Sequence, residues 1–395
     1  MASHETLGQE PARASFLYDP RIRGIIFQIL VLALVVLAVL WIASNTIENL
    51  RRANIASGFG FLNGRAGFEI AVTLIPYTSD STFGRALVVG LLNTILVAVA
   101  GIVTATVIGF VVGIGRLSGN WLIARICTVY VEIFRNIPPL LVIFFWYLGV
   151  LSVLPLPRDS IDLPLGAFLN SRGIYIPRAI WGEGAWLILL ALVIAIAMSW
   201  FVARRARARQ MQTGQQFPVF WTSLGLIVGL PLLAFVLSGF PVTLEYPVLG
   251  TFNLAGGWQV KPEFLSLYLA LSFYTASFIA EIVRAGIKGV SRGQSEASYA
   301  LGLRPGQTLR LVVIPQAMRI VIPPLTSQYL NLTKNSSLAV AIGYPDLVAV
   351  GGTILNQTGQ SIEVVAIWMV VYLSLSIATS VFMNWFNARV ALVER

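Results

Sequence analysis

Cysteine and histidine are almost absent from this chain, one of each in 395 residues. Cys127 alone cannot close an internal disulfide. His4 alone leaves no basis for a histidine-ligated metal site or a Ser-His-Asp triad. Charge is scarce as well, at 11% of residues against about 25% in soluble domains. No stretch matches G-x-x-x-x-G-K-[ST], which removes the P-loop route to ATP. With no metal-ligand cluster and no nucleophile–base pair, no catalytic residue, metal or cofactor is assigned, and a membrane-embedded enzyme is disfavoured.

What fills the chain is apolar: 57% of residues are hydrophobic and the mean hydropathy is +0.80. Runs of roughly 20 residues with few charges are enough to cross a hydrocarbon core of about 30 Å. Eight spans are predicted, near 24–43, 86–112, 128–154, 185–202, 218–240, 263–285, 318–345 and 362–386, so the fold class is an all-α polytopic membrane bundle. Span seven is the weakest, being broken by polar residues and by Pro323 and Pro324. The polar first 23 residues and the long run Gly24–Ala43, without an A-x-A site, read as a tail and a retained anchor, not as a signal peptide.

The net charge of +10 reflects topology and not nucleic acid, because the basic clusters are short and flank spans. With both termini cytoplasmic, the inside segments carry most of the Lys and Arg. "RRARAR" (Arg204–Arg209) and the basic loop after span six both fall inside, and the former reads as a topology determinant touching anionic headgroups of the bilayer. The two long outside segments, Ser44–Arg85 and about 155–184, show no periodic helix or strand of useful length and no separate soluble domain.

Three constellations stand out. "SEASYALGLRPGQTLRLVVIP" (Ser295–Pro315) reads as two short helices. Ser295 caps the first, with Glu296 in its first turn. Ala297, Ser298 and Ala300 are small, Gly302 is a left-handed stop, Pro305 opens the second helix, and Pro315 limits it. On these grounds the loop either rests on headgroups or docks a partner. In span seven, Ser327, Gln328, Asn331, Lys334 and Asn335 share one helical face. That face either lines a translocation path or makes interhelical hydrogen bonds, and Lys334 meets either a substrate carboxylate or an acid such as Glu281. In span three, Glu132 and Arg135 are spaced to pair along one face, while Pro138 and Pro139 bend the helix. Asn136 is undecided.

The Ser295–Pro315 segment resembles the EAA loop of membrane subunits of ABC importers. It matches at Glu296, Ala297, Gly302 and Pro315 and departs conservatively at Ser298, Val312 and Ile314. "YVEIFRNIPPLLVIFFWY" (Tyr130–Tyr147), "SFIAEIVRAGIKGVSRGQ" (Ser277–Gln294) and Pro315–Leu347 resemble permeases for polar amino acids. Tyr18–Gln28, Asn54–Ile70 and Leu74–Thr94 are similar, more narrowly, to permeases of general L-amino-acid importers.

The resemblance implies a five-span permease core made of residues 86–154 and 263–395, with the EAA coupling loop at about 291–317. Residues 1–23 are then the cytoplasmic tail and 24–85 an added anchor span with a periplasmic loop. Residues 155–262 are an insertion with two extra spans. It further implies docking of Glu296, Ala297, Ser298, Gly302 and Pro315 on a separate ATPase, present in two copies. A second, related permease subunit, a periplasmic amino-acid-binding protein and a bacterial inner-membrane location are implied with it. The rival is an ion-gradient-driven secondary transporter. It needs titratable groups near the midplane, whereas Glu132, Arg135, Glu281 and Lys334 lie mostly toward span ends.

Overall fold

The computed structural model describes residues 20–52, 58–250 and 253–390. His4, nearly all of the expected tail and the last five residues lie outside the described residues. The helices are α1 (Pro20–Arg52), α2 (Phe83–Gly115), α3 (Trp121–Asn136), α4 (Pro139–Phe144), α5 (Trp186–Thr213), α6 (Val219–Leu237), α7 (Pro262–Lys288), α8 (Arg292–Ala300), α9 (Pro305–Thr308), α10 (Ile314–Asn335), α11 (Leu347–Thr358) and α12 (Ser361–Val390).

Among the described residues seven helical runs are long and apolar enough to cross a membrane. An eighth exists if α3 and α4, bent by 111° at Pro138–Pro139, form one broken span. The helical bundle is therefore as expected, and most boundaries agree to within a turn. Three helices run longer, α3 by starting at Trp121, before the expected 128, where the Asn120 side chain accepts from the Leu122 and Ile123 N–H groups. α1 continues to Arg52 because Glu48 pairs with Arg52 at 3.0 Å, four residues apart. α5 continues through the arginines to Thr213, where Gly214 ends it in the left-handed conformation.

The centre of the bundle is α7, packed on α2, α3, α4 and α10. α2 and α7 run in the same direction: Thr104 meets Tyr268 at 2.7 Å, and further along Gly113 lies against Ala280 and Val283. Gly109 and Gly113, in "GFVVG", let the two backbones meet. A Cβ on Gly113 would stand 2.7 Å from the Ala280 carbonyl oxygen, and one on Gly109 2.5 Å from Ile279. Such small-residue faces matter in lipid, where association displaces hydrocarbon rather than water, so close dispersion contact must hold the helices. α10 returns in the opposite sense, with Val321 against Gly286 and Leu332 against Gly101. Val97, Leu267, Leu271, Ile279, Val321, Ile322 and Leu332 form the core between them. A second cluster at the far end joins the 58–82 segment to α2, α11 and α12 through Ile70, Phe83, Val89, Leu347, Ile354 and Val364.

The segments flanking α5 and α6 hold strands where none was expected: β1 (Ile161–Leu163), β2 (Ala167–Asn170), β3 (Gly173–Ile176), β4 (Arg178–Trp181), β5 (Val242–Glu245), β6 (Val248–Leu249), β7 (Leu254–Ala255) and β8 (Trp258–Val260). All pairings are antiparallel, and the largest sheet has the order β1-β2-β3-β8. β3 pairs with β8 and β4 with β5, so each pair joins the chain before the α5–α6 hairpin to the chain after it. The result is a small platform at the hairpin's base. α5 and α6 pack mainly on each other, and only Ala195 and Ser199 of the pair are buried.

A further difference lies before span seven. The chain does not stop at Pro315 but runs helically from Pro305 to Ile342. A wide π turn at Leu309–Val313 precedes the proline. It shifts the carbonyls that the pyrrolidine ring would otherwise strike, so the helix continues. Past Asn335 a 3₁₀ turn reaches Ile342, and Gly343 ends the run in the left-handed region.

The α2–α7 contact predicts a contrast between two glycines. Gly113→Leu should destabilise the purified protein by about 1–3 kcal/mol through overpacking. Gly225→Leu, on α6 with open space around its Cα, should leave it within about 0.5 kcal/mol. Thermal unfolding in detergent, followed by tryptophan fluorescence, reads both.

Candidate functional site

Where α7 ends, Ser291 opens α8, which begins one turn earlier than expected. Ser295 thus lies inside the helix, and Ser291 offers no side-chain cap. Glu296 is consequently past the first turn and exposed, so its charge is placed for an outside partner more than for the helix dipole. Ala297 and Gly302 are also exposed, whereas Ser298 is buried and donates to the Gln294 carbonyl at 2.6 Å.

The stop after α8 is as read. Gly302 has φ +78°, its N–H donates to Tyr299 O, and Leu303 N–H donates to Ser298 O. This 6→1 and 5→2 pair is the Schellman geometry. A Cβ on Gly302 would meet nothing within 4 Å, so the turn borders open space. α8 is tied back to α10 by Gln316 Nε2 donating to Gln294 Oε1 at 3.1 Å. Pro315 is half-buried within the continuous helix.

The same end of the bundle carries a charge cluster. Glu281 on α7 accepts from Arg116, at the foot of α2, and from Arg284 one turn on, with Arg135 of α3 at 3.9 Å. Arg116 also lies 4.0 Å from Glu132. The expected Glu132–Arg135 pair gives way to these interhelical pairs, because α7 presents a better-placed carboxylate. Arg135 rests instead over the Phe278 ring, 5.6 Å from its centroid. The Arg116 side chain is only 10% exposed, so the cluster compensates a nearly buried cation.

Ser327, Gln328, Asn331, Lys334 and Asn335 do share a face of α10. Ser327, Asn331 and Lys334 are exposed, and Gln328 and Asn335 are half-buried. The opposite face, with Val321, Ile322, Leu325 and Leu332, turns inward to the core. Lys334 sits at the far end of α10 from the α7–α8 corner, so Glu281 is matched with arginines and not with Lys334.

Beyond α10 lies a buried polar knot that the spacing rules did not single out. Asn93 Nδ2 donates to the carbonyls of Val72 and Pro345, both at 2.9 Å. The Tyr344 hydroxyl donates to Asn93 O at 3.1 Å, and Leu347 N–H donates to Thr94 Oγ1 at 3.1 Å. Asp346 is fully buried and accepts from Ala349 N–H at 2.8 Å, capping α11. These bonds fix the end of the α10 run to α2 and α11. A lone aspartate after Gly-Tyr-Pro in apolar surroundings was the available signal.

The comparisons agree on a class. The family model for the inner-membrane component of binding-protein-dependent transport systems matches residues 209–392. The chain is 65% identical, over 100% of both chains, to the general L-amino acid transport system permease protein AapQ of Rhizobium johnstonii. It is 51% identical to the putative amino-acid ABC transporter permease protein YhdX of Escherichia coli, covering 95% of this chain and 96% of that one. It is 43% identical to the glutamate/glutamine/aspartate/asparagine transport system permease protein BztB of Rhodobacter capsulatus, over 98% and 100% of the two chains. The chain belongs to the permease family of ABC amino-acid transporters. It is a membrane-spanning transport component and not itself an enzyme, and these relatives accord with an ABC permease and not with an ion-driven carrier.

Removing the shared carboxylate tests the cluster. Glu281→Gln should cost about 2–4 kcal/mol, somewhat less than for a fully buried pair because the side chains remain partly exposed. Arg135→Gln should cost under about 1 kcal/mol. Comparative unfolding of the two variants checks the order, and equal losses would show that the α3 arm matters as much as Arg116.

Proposed function

We propose that this chain is one transmembrane subunit of an ATP-driven, binding-protein-dependent importer of L-amino acids in a bacterial inner membrane. A second, related permease completes the path, two ATPase subunits engage the α8–α9 end, and a periplasmic binding protein delivers substrate to the opposite end. Both termini are cytoplasmic, and the proposed core comprises residues 86–154 and 263–395. The platform and hairpin of 155–262 are an insertion, 24–85 an added anchor with its loop, and residues 1–23 a cytoplasmic tail. The 65% identity to AapQ along the full length of both chains carries the reading.

Two features of the geometry support it. The polar face of α10 is turned out of this chain's own core. Leaving amide and ammonium groups in lipid is costly, so a second subunit and an aqueous path between the two are what would cover it. There Asn331, Gln328 and Ser327 offer hydrogen bonds to a zwitterion, and Lys334 offers a cation to its carboxylate. At the other end α8 presents Glu296, Ala297 and the Gly302 turn, while Ser298 seats the helix on its own chain. Closure of the ATPases would push α8, and the Gln294–Gln316 link with the Glu281 cluster would pass that motion to α10 and to the α2–α3–α7 unit. The outcome is alternating access, with ATP hydrolysed on the separate subunits.

Co-expression with the ATPase and partner permease, followed by purification, tests the docking face. Glu296→Arg combined with Gly302→Trp should abolish ATPase recovery while leaving the chain in the membrane: position 296 is exposed, and the indole at 302 meets open space while straining the left-handed turn by about 1–2 kcal/mol. Undiminished recovery would remove α8 as the docking helix. Lys334→Ala should instead retain the ATPase and lower uptake of labelled L-amino acid by about tenfold or more, the loss of one charge-assisted contact.

A further inference from the structure

The "RRARAR" segment is absorbed by none of this. It occupies the last turns of α5, which projects beyond the apolar part of the α5–α6 hairpin. Between Glu183 and Glu245 the sequence holds Arg204, Arg205, Arg207 and Arg209 and no acidic residue. No ion pair to any of the four occurs among the described residues. The hairpin carrying them packs mainly on itself, so no acid of the core neutralises them either.

The arrangement is more than a basic tail. Phe201, Arg205, Arg209 and Gln212 fall at i, i+4, i+8 and i+11, one stripe along α5. The link after α5 folds back, and Arg209 Nη2 donates to Gln215 Oε1 at 3.1 Å. Phe217 then closes a groove of about 540 Å³ against the stripe, with Val202 and Phe201 at its inner end. Arg205 stacks over the Phe201 ring at 4.8 Å and Arg204 over Trp200 at 5.5 Å. Those contacts hold the guanidinium groups at the level where aromatic residues gather, as they do at a membrane–water interface. Trp200, Phe220 and Trp221 are all exposed around this end of the hairpin.

We infer that this groove is a binding site for one anionic glycerophospholipid, its phosphate held between Arg205 and Arg209 and an acyl chain lying along Phe201, Val202 and Phe217. A phosphate satisfies two guanidinium forks one helical turn apart, and the groove is cationic at its outer end and apolar at its inner end, as an amphiphile requires. A soluble anion would use the arginines but leave the apolar end unfilled. An acidic protein segment would pair with the arginines but brings no acyl-length apolar chain to lie along Phe201, Val202 and Phe217. Arg207, about 200° around the helix from Arg205, lies off the stripe and is not part of the site.

The test uses the full chain in its purified complex. Phosphatidylglycerol and phosphatidylethanolamine of matched chain length are titrated, and bound lipid is counted by native mass spectrometry. The wild type should retain phosphatidylglycerol at near one per copy of this chain, in clear preference to phosphatidylethanolamine. Arg205→Gln with Arg209→Gln should weaken retention by about tenfold or more, given roughly 1 kcal/mol for each basic residue near an anionic surface, while Arg207→Gln should retain it. Helical circular dichroism of each variant separates loss of lipid from loss of fold. Excess glycerol 3-phosphate should not displace the lipid. Equal retention of the two lipids by the wild type, equal loss with Arg207→Gln, displacement by glycerol 3-phosphate, or loss of a bound acidic protein in place of lipid would each overturn the assignment.

Discussion

The close approach of α2 and α7 is the contact on which the rest depends. Two glycines a turn apart on α2 face Ala276 and Ala280 on α7, and the backbones come near enough for carbonyls to limit the spacing. That distance brings Arg116, at the foot of α2, onto Glu281. Arg135 then reaches the same carboxylate from α3. In hydrocarbon the packing must be made by shape, because no water is released when helices meet. One enlarged residue at this seam would therefore separate the core and open the charge cluster together.

A mechanical division follows. α2, α3 and α7 are bound by packing and by shared charge at one end, and α2 and α11 by the Asn93–Asp346 knot at the other. α10 lies between the two anchorages, carrying the polar face on its outer side. α8 follows α7, which carries Glu281, and hydrogen-bonds to the start of α10. In the proposed importer, force applied to α8 arrives on elements already linked, so no flexible relay is needed. The α5–α6 hairpin shares none of these bonds, and short strand pairs hold its base.

Hydropathy made most of this architecture legible. Apolar runs mark the long helices, and lone features such as Gly302 mark stops, because both depend on a few adjacent residues. What escaped was non-local. Strands of two to four residues carry too little alternation to be read, and β3 finds β8 only across the whole hairpin. Glu132 and Arg135 have the spacing of a helical pair, but spacing is blind to a carboxylate on another helix. Pro315 is an ordinary helix breaker unless a π turn precedes it, and Ser295 yields to a helix that begins earlier. Of the candidate site, the shared face of α10 was visible in the 3.6-residue period. That this face points away from the core, and that Asp346 is buried, required the packing of α2 and α7.

The energy source is the most direct test of the account. The complete complex, reconstituted in proteoliposomes with its binding protein and ATP on the ATPase side, would be assayed for uptake of labelled L-amino acid with all ion gradients collapsed by ionophores. Uptake should continue at an undiminished rate and cease when ATP is replaced by a non-hydrolysable analogue. Uptake that disappears with the gradients and ignores the nucleotide would contradict it.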